Sequence, residues 1–246
     1  MLTSVKEILQ MAEKANTAVI GFNCIDYNQI YAIVHAAEMV QKPVICMLYP
    51  EHAQKNNMCS PELFAETVKY AANKVSVPIG LHMDHCQDFN YIVRALYAGF
   101  SCVMYDGSML SLNENITNTK KVADVAHALG AIVEAELGHV GVAETADDQN
   151  NRDLYTQPDV AAKFAAESTC DALAVAIGSA HGFYKETPHL DIKRLSEIND
   201  ATSTPLVLHG GTGIPSDQLN QAFTHGINKF NVGTEFFKLY LDLHRN

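Results

Sequence analysis

The 246-residue sequence lacks the features that mark a membrane or secreted protein. It contains no run of about 18 apolar residues, so a transmembrane helix is not expected. Its N-terminus, Met1-Leu2-Thr3-Ser4, has neither the basic start nor the apolar stretch of a signal peptide. Its six cysteines form no CxxC pair, a pattern that favours reduced thiols over disulfides. These absences predict a cytoplasmic protein that does not contact a membrane.

Positive charge is also scarce in this chain. It has 17 lysines and arginines against 28 aspartates and glutamates, for a formal net charge of -11. A nucleic-acid partner would require a basic face, so none is expected. A small anionic substrate remains compatible with this charge, provided that a metal, backbone amides or a few cations supply local positive potential.

Short apolar runs alternate with amphipathic segments along the whole chain. The predicted strands are residues 18–23, 43–48, 79–84, 101–106, 131–137, 172–178, 205–209 and 228–233. The predicted helices between them are residues 29–40, 61–74, 89–98, 116–129, 158–167, 192–199 and 216–223. Near-continuous apolar strands are typical of parallel sheets buried on both faces. Eight such units predict an α/β fold, a (β/α)8 TIM barrel forming a single domain over residues 1–246.

Three histidines follow the apolar runs at the point where a predicted strand gives way to a loop. They are His85, His181 and His209. In a closed parallel barrel all such strand ends meet at one mouth, where catalytic groups collect. Three neutral imidazoles converging there would form a zinc site with one coordination position open for substrate. The alternative for any single histidine is an ordinary hydrogen-bonded residue at a strand end.

Six segments in order carry a family resemblance. They read HMDHC (82–86), MYDGS (104–108), VEAELG (133–138), AVAIGSAHGFYK (174–185), PLVLHGGTG (205–213) and KFNVGTE (229–235). The sequence resembles the class II, metal-dependent ketose-bisphosphate aldolases, and is most similar to the tagatose-bisphosphate and short fructose-bisphosphate aldolase branch. The resemblance runs from about residue 5 to the chain end. It implies a lyase of carbohydrate metabolism, such as glycolysis, that cleaves a phosphorylated ketose reversibly to dihydroxyacetone phosphate and an aldehyde.

The resemblance also implies roles for individual residues. His85, His181 and His209 would hold one catalytic Zn²⁺, although three imidazoles also accept cobalt or iron. Asp84 matches the catalytic aspartate, which exchanges a proton with the aldehyde oxygen; its alternative is a supporting contact to a zinc histidine. Glu144 matches the glutamate that takes a proton from dihydroxyacetone phosphate. It lies in a long polar segment, residues 138–157, that is expected to act as a lid or binding loop over the site; the alternative is a disordered insertion.

Further polar residues at the strand ends match carboxylates and phosphate-binding positions of the family. Asp106 and Glu136 would lie near the metal, either at a second divalent or monovalent cation or as hydrogen-bond partners of the histidines. Glycine-rich turns after strands seven and eight are the usual phosphate site of a barrel, although such glycines can also serve turns alone. The expected substrate and phosphate ligands are Asn23, Gly182, Lys185, Gly210, Gly211, Thr212, Asn231, Gly233 and Thr234.

The sequence departs from the family pattern in places that bear on specificity. Tyr49 stands near a position where the family commonly has a small hydroxyl residue, Cys24 follows Asn23, and Gly141-Val142-Ala143 replaces a Gly-Gly pair before Glu144. The family's C-terminal helices, which contribute to oligomer contacts, are expected to be absent, yet a homodimer or homotetramer is expected. The alternatives are an aldolase for another phosphorylated keto-sugar, including an inositol-breakdown intermediate, a non-catalytic sugar-phosphate binding relative, and a metal-dependent barrel hydrolase.

Overall fold

Eight parallel strands close into a barrel. The computed structural model describes residues 1–55, 59–138, 140–142 and 154–245. The barrel strands are β1 (Val19–Asn23), β2 (Val44–Leu48), β3 (Ile79–Cys86), β4 (Cys102–Tyr105), β5 (Ile132–Leu137), β7 (Ala172–Val175), β9 (Leu206–Leu208) and β10 (Ile227–Val232). Their order around the barrel is β1-β10-β9-β7-β5-β4-β3-β2. The predicted TIM barrel is therefore confirmed, and all strand C-termini open at one end.

Helices surround the barrel and connect successive strands. They are α1 (Val5–Lys14), α2 (Tyr27–Val40), α3 (Pro50–Lys55), α4 (Pro61–Ala72), α5 (Phe89–Ala98), α6 (Leu112–Ala128), α7 (Pro158–Ser168), α8 (Ile192–Ala201), α9 (Ser216–Thr224) and α10 (Thr234–His244). In the described residues, none of them is long and apolar enough to cross a membrane.

The helix boundaries follow local capping chemistry. The Ser60 hydroxyl accepts a hydrogen bond from the Leu63 amide, and Pro61 occupies the first position of α4. Ser111 and Glu114 form a reciprocal capping box at the start of α6. Gly99 ends α5 in the left-handed region, where a residue without Cβ is favoured. These signals explain why the predicted helices and the observed ones agree closely.

Two additions to the predicted pattern position the site. A separate two-stranded parallel sheet joins β6 (Gly141–Val142) to β8 (Ala180–His181), with Val142 opposite His181. This pairing holds the beginning of the predicted lid against the strand that carries a candidate metal ligand. At the end of that segment, the Thr156 hydroxyl donates to the Leu137 carbonyl at 2.5 Å and accepts from the Ala176 amide at 2.9 Å.

The interior of the barrel changes character along its axis. At the N-terminal end of the strands, α1 packs its buried residues Val5 and Ile8 against inward-facing apolar side chains such as Ile45 and Val207. Further up, the fully buried interior side chains include His82, Glu134 and Lys229. These buried polar side chains lie deeper in the barrel than the mouth. Glu134 links them to the site, because it accepts hydrogen bonds from both Lys229 and His209.

Candidate active site and metal centre

A cavity of about 890 Å³ opens at the C-terminal ends of the barrel strands. It gathers residues that are far apart in sequence but that all follow strands. The predicted site residues lining it are Asn23, Asp84, His85, Asp106, Glu136, His181, Gly182, Gly210, Gly211, Thr212, Asn231, Gly233 and Thr234. His209 is fully buried in the wall behind this surface.

Asp84 and His85 are consecutive, yet both face the centre. Adjacent residues of a regular strand point to opposite sides of the sheet, so a distortion is required. The register between β3 and β4 shifts between Met83 and Cys86, and His85 has a positive φ of 33°. This local bulge turns the His85 ring towards the cavity beside Asp84. Among the described non-glycine residues with a positive φ, His85 is the one that lines the cavity.

The three histidines come together as the sequence predicts. The His85 ring centroid lies 5.2 Å from that of His181 and 4.7 Å from that of His209, and the last two lie 5.8 Å apart. Each ring offers a nitrogen within 4.8 Å of the other two. The end of β3, the short strand β8 and the residue after β9 therefore supply one possible set of metal ligands.

Carboxylates fix the orientation of two of these rings. Nδ1 of His85 donates to Asp106 Oδ2 at 2.9 Å, and Nε2 of His209 donates to Glu134 Oε1 at 3.0 Å. Burial opposes ionisation of Asp106, but hydrogen bonds from His85 and Ser108 hold its pKa below the usual range. Metal-binding histidines typically use one nitrogen for such a carboxylate and the other for the ion.

The remaining nitrogens suit a cation. Nδ1 of His209 is buried and lies 3.0 Å from Glu136 Oε2, but the two atoms are not aligned for a hydrogen bond. Burial would lower the pKa of His209, yet its carboxylate partners Glu134 and Glu136 raise it to about 10. The pKa of His181 falls to about 4 because of burial and the neighbouring imidazoles, so its ring is neutral. Because a metal ligand must be unprotonated, a divalent ion on His209 Nδ1 would replace the proton that these carboxylates otherwise favour.

Two amides clamp the Asp84 carboxylate. Asn23 Nδ2 donates to Oδ2 at 2.8 Å, and Asn231 Nδ2 donates to Oδ1 at 3.1 Å. Burial would raise the pKa of Asp84, but nearby His85 and His82 hold it well below its usual range. Asp84 is therefore an ionised, oriented carboxylate at the edge of the histidine cluster.

The glycines after β9 are required by close backbone approach. Gly210 has a φ of 66°, and a Cβ there would lie 2.3 Å from the Ala180 carbonyl oxygen. A Cβ on Gly211 would lie 1.9 Å from the Phe230 ring. These positions bring the strand β8 segment and the turn after β9 together. Gly210 and Gly211 also line the cavity. The absence of a Cβ at these positions therefore permits close packing and would also let an anion approach the backbone.

Residues 3–246 match the sequence model of the family described as "Fructose-bisphosphate aldolase class-II". The chain belongs to that family. It is therefore an aldolase, a lyase that acts on a phosphorylated sugar, and the family is metal-dependent.

Three relatives show how far this similarity extends. The class-II aldolase is 36% identical over 231 residues to the sulfofructosephosphate aldolase of Alkalicoccus urumqiensis, a match that covers 94% of this chain and 79% of that protein. It is 38% identical over 236 residues to the probable fructose-bisphosphate aldolase of Bacillus subtilis (strain 168), covering 95% and 82% respectively. The crystal structure of the YdjI aldolase from Escherichia coli K12 has a TM-score of 0.88 at 33% identity, covering 100% of this chain and 86% of that one.

Of the expected site residues of this aldolase, one lies away from the cavity and another is outside the described residues. Lys185 is exposed and does not line the cavity. Glu144 lies outside the described residues, as does most of the predicted lid. The described parts of the lid are its two ends: Val142 pairs with His181 through the backbone, and Thr156 bonds to Leu137 and Ala176.

Several supporting residues of the aldolase site were not predicted from sequence. Tyr184 accepts a hydrogen bond from the Ala180 amide at 2.6 Å and donates to the Gly210 carbonyl at 2.8 Å, which braces two loops against each other. Lys238 and Asp242 on α10, and Arg245 at its C-cap, also line the cavity. Their i, i+4, i+7 spacing places them on one helix face, so this pattern could have identified them.

An aromatic wall closes one side of the aldolase cavity, near the departure noted at Tyr49. The Tyr49 ring centroid lies 5.7 Å from that of the candidate ligand His85 and 4.5 Å from that of His52. His52 in turn lies 5.3 Å from Phe237 of α10, centroid to centroid. The Tyr49 hydroxyl donates to Glu51 at 2.5 Å rather than pointing freely into the cavity.

Proposed function

We propose that this protein is a zinc-dependent aldolase that cleaves a phosphorylated ketose reversibly to dihydroxyacetone phosphate and an aldehyde. The observation that carries the proposal is the approach of His85, His181 and His209 to within one ligand shell beside the clamped Asp84. The names of two relatives, a sulfofructosephosphate aldolase and a probable fructose-bisphosphate aldolase, support a phosphorylated ketose as the substrate class.

The donor set matches a zinc site with an open position. Three imidazoles are a common catalytic ligand set, and two of them have carboxylate partners. When bound, the ion would act as a Lewis acid on the ketose carbonyl and its neighbouring hydroxyl. Asp106 and Glu136 sit within the same cluster as His85, where they would serve either a second cation or the histidines themselves.

Asp84 would move the hydroxyl proton. In cleavage, the carbon–carbon bond breaks as the hydroxyl on the future aldehyde carbon gives its proton to Asp84. In condensation the proton returns to the aldehyde oxygen. The Asn23 and Asn231 amides keep the carboxylate ionised and aimed, which suits a proton acceptor.

Phosphate would bind at the turns after β9 and β10. Gly210, Gly211 and Thr212 line the cavity on one side, and Gly233 and Thr234 line it at the N-terminus of α10. Backbone amides at a helix start favour an anion. Gly182 and Asn231 complete this wall.

Glu144 would exchange the proton on the carbon of dihydroxyacetone phosphate. Its support is the family resemblance, together with the pairing of Val142 with His181 two residues before it. We expect Glu144→Gln to nearly stop exchange of that carbon-bound hydrogen with solvent deuterium, followed by NMR, while bound metal and triose affinity stay unchanged. Normal exchange in this variant would show that another group removes this proton, and Glu136 and Asp147 would be the next residues to test.

The aldehyde half of the substrate would determine which ketose fits. The aromatic wall of Tyr49, His52 and Phe237 borders the cavity where the family commonly places a small hydroxyl residue. The test is cleavage of a panel containing fructose, tagatose and sulfofructose phosphates and other ketose mono- and bisphosphates, coupled to reduction of dihydroxyacetone phosphate. Cleavage of at least one member supports the proposal. Failure of the whole panel with metal-loaded protein contradicts it.

A further inference from the structure

Lys229 is a fully buried lysine in strand β10, inside the barrel. Removing an ammonium from water is costly unless it is paired and hydrogen-bonded. Its Nζ lies 2.8 Å from Glu134 Oε2 and donates to Glu134 Oε1 at 3.1 Å and to Asn231 Oδ1 at 2.7 Å. Lys229 does not line the substrate cavity, so its ammonium acts on side chains of the protein.

The first of these contacts leads to a candidate metal ligand. Glu134 Oε1 accepts from Lys229 and also from Nε2 of His209 at 3.0 Å. The carboxylate is fully buried, so its position depends on these two partners, and Lys229 contacts both of its oxygens. Lys229 therefore anchors the group that fixes the orientation of the His209 ring.

The second contact leads to the proton acceptor. Because Lys229 can only donate, Asn231 must turn its carbonyl oxygen towards Nζ. Its amide nitrogen is then directed at Asp84 Oδ1, to which it donates at 3.1 Å. His82 Nε2 and His85 Nε2 approach the same oxygen only to 3.7 Å and 4.0 Å, too far for a hydrogen bond. The hydrogen bond from Lys229 to the Asn231 carbonyl oxygen thus sets the direction of the Asn231 amide.

We propose that Lys229 is a positioning residue that orients His209 through Glu134 and Asp84 through Asn231. One buried ammonium would align a metal ligand and the proton acceptor from a common point. The catalytic part of this inference rests on the proposed function. The part that concerns metal binding is independent of substrate.

The first test is Lys229→Met, which keeps an unbranched side chain of similar length and removes the ammonium. Affinity for Co²⁺ is measured by absorbance titration of the metal-free protein without substrate. Loss of a partner that supports a metal ligand typically costs about 10- to 100-fold in metal affinity or activity, and we expect a loss in that range. The cobalt spectrum should shift, because the His209 ring is no longer held.

A double variant, Lys229→Met with Glu134→Gln, separates positioning from charge balance. It removes both buried charges, and the amide oxygen introduced at position 134 can still accept from His209, so the protein should melt near the wild type and regain Co²⁺ affinity. Asn231 still lacks its anchor, so we expect kcat to remain about 10-fold or more below wild type, with a smaller change in KM. This variant decides the question even if the single variant does not fold.

Two results would overturn the proposal. One is wild-type Co²⁺ affinity and kcat in folded Lys229→Met. The other is full recovery of kcat in the double variant, which would reduce Lys229 to a partner for Glu134. If wild-type protein cleaves no member of the ketose panel, the proposed function fails, but the Co²⁺ titration still tests the orientation of His209.

Discussion

The two ends of the barrel use the same strands for opposite purposes. At the N-terminal end, α1 seals the interior with Val5 and Ile8, and a Cβ on Gly80 would lie 3.1 Å from each of them. At the C-terminal end, the interior holds buried carboxylates, histidines and a lysine that are joined by hydrogen bonds. Burial of apolar side chains is favourable without specific partners, whereas a buried ionisable group is costly unless it is paired and hydrogen-bonded.

This difference assigns stability to one end and chemistry to the other. Polar networks of this kind are stable only while every member is satisfied, and here an ion would complete the set. Substitutions at the sealed end should therefore change the free energy of unfolding and leave the rate constants alone. Substitutions at the open end should change metal binding and the rate constants, and they should lower the free energy of unfolding only where they leave a buried charge without its partner. The four predictions below test that division, in order of expected effect.

The largest effect is expected for His209→Ala at the open end. Loss of one ligand should remove the bound metal and lower turnover by about 10³-fold or more, since metal activation contributes several kcal/mol to the transition state. Metal content by atomic emission and turnover with the accepted ketose measure this. The matched control is His127→Ala, because His127 makes a 2.7 Å contact to Asp171 outside the cavity. Equal losses in both variants would contradict a special role for His209.

Asp84→Asn should separate chemistry from binding. The three histidines remain, so metal content should be unchanged, while cleavage falls by about 10²- to 10⁴-fold, the usual scale for a lost acid–base group. The side-chain oxygen that this variant keeps can still accept from one of the two clamping amides, but the other loses its acceptor, so the melting temperature should fall while the protein stays folded. Cleavage at the normal rate would show that another group moves the proton.

Ile8→Ala should have its effect at the sealed end. Ile8 is fully buried, and truncating such a side chain typically costs about 2–5 kcal/mol. Denaturant unfolding should show this loss, while kcat and KM at a temperature where the variant is folded stay at wild-type values. Met11→Ala on the same helix is the control, because Met11 is 45% exposed and should change stability by about 0.5 kcal/mol or less. A changed kcat in Ile8→Ala would break the division between the ends.

The smallest effect is expected for Glu38, which ties α2 to the segment before β3 at the sealed end. Its carboxylate accepts from the Ser76 and Val77 amides, and these hydrogen bonds lower its pKa. The folded state thus favours the ionised form, so the contribution is present above the unfolded pKa and is lost as the pH falls through the lower folded value. Glu38→Gln should melt slightly below wild type at pH 7, and the difference should disappear in acid. A difference that is independent of pH would contradict the ionic origin.

The fold was largely predictable because each barrel strand is an apolar run. Capping residues and glycines mark the ends of several of the helices between these strands. Helix α1 was not predicted, although Ser4 caps it and Glu7 lies in its first turn, because it precedes the alternating pattern. The extension of β3 to Cys86 and the bulge at His85 could not be predicted, because a left-handed φ at a histidine has no compositional signal.

The candidate metal ligands were predictable as residues but their support was not. His85, His181 and His209 each follow an apolar run, which places them at strand ends. The contacts of Lys229 with Glu134 and of Tyr184 with Gly210 depend on strand register and loop path across the barrel. Such contacts join residues far apart in sequence, and no local pattern encodes them.

The most direct test of the central claim is a cycle of metal removal and return. Turnover and melting temperature are measured in native protein, after chelation, and after titration with Zn²⁺. We expect chelation to abolish turnover while the protein stays folded, and activity to return in full at one equivalent of metal per chain. Borohydride with substrate should not inactivate the protein, because Lys229, the lysine that the described barrel strands carry, is buried against Glu134. Full turnover in metal-free protein, or a lysine adduct trapped by borohydride, would contradict the account.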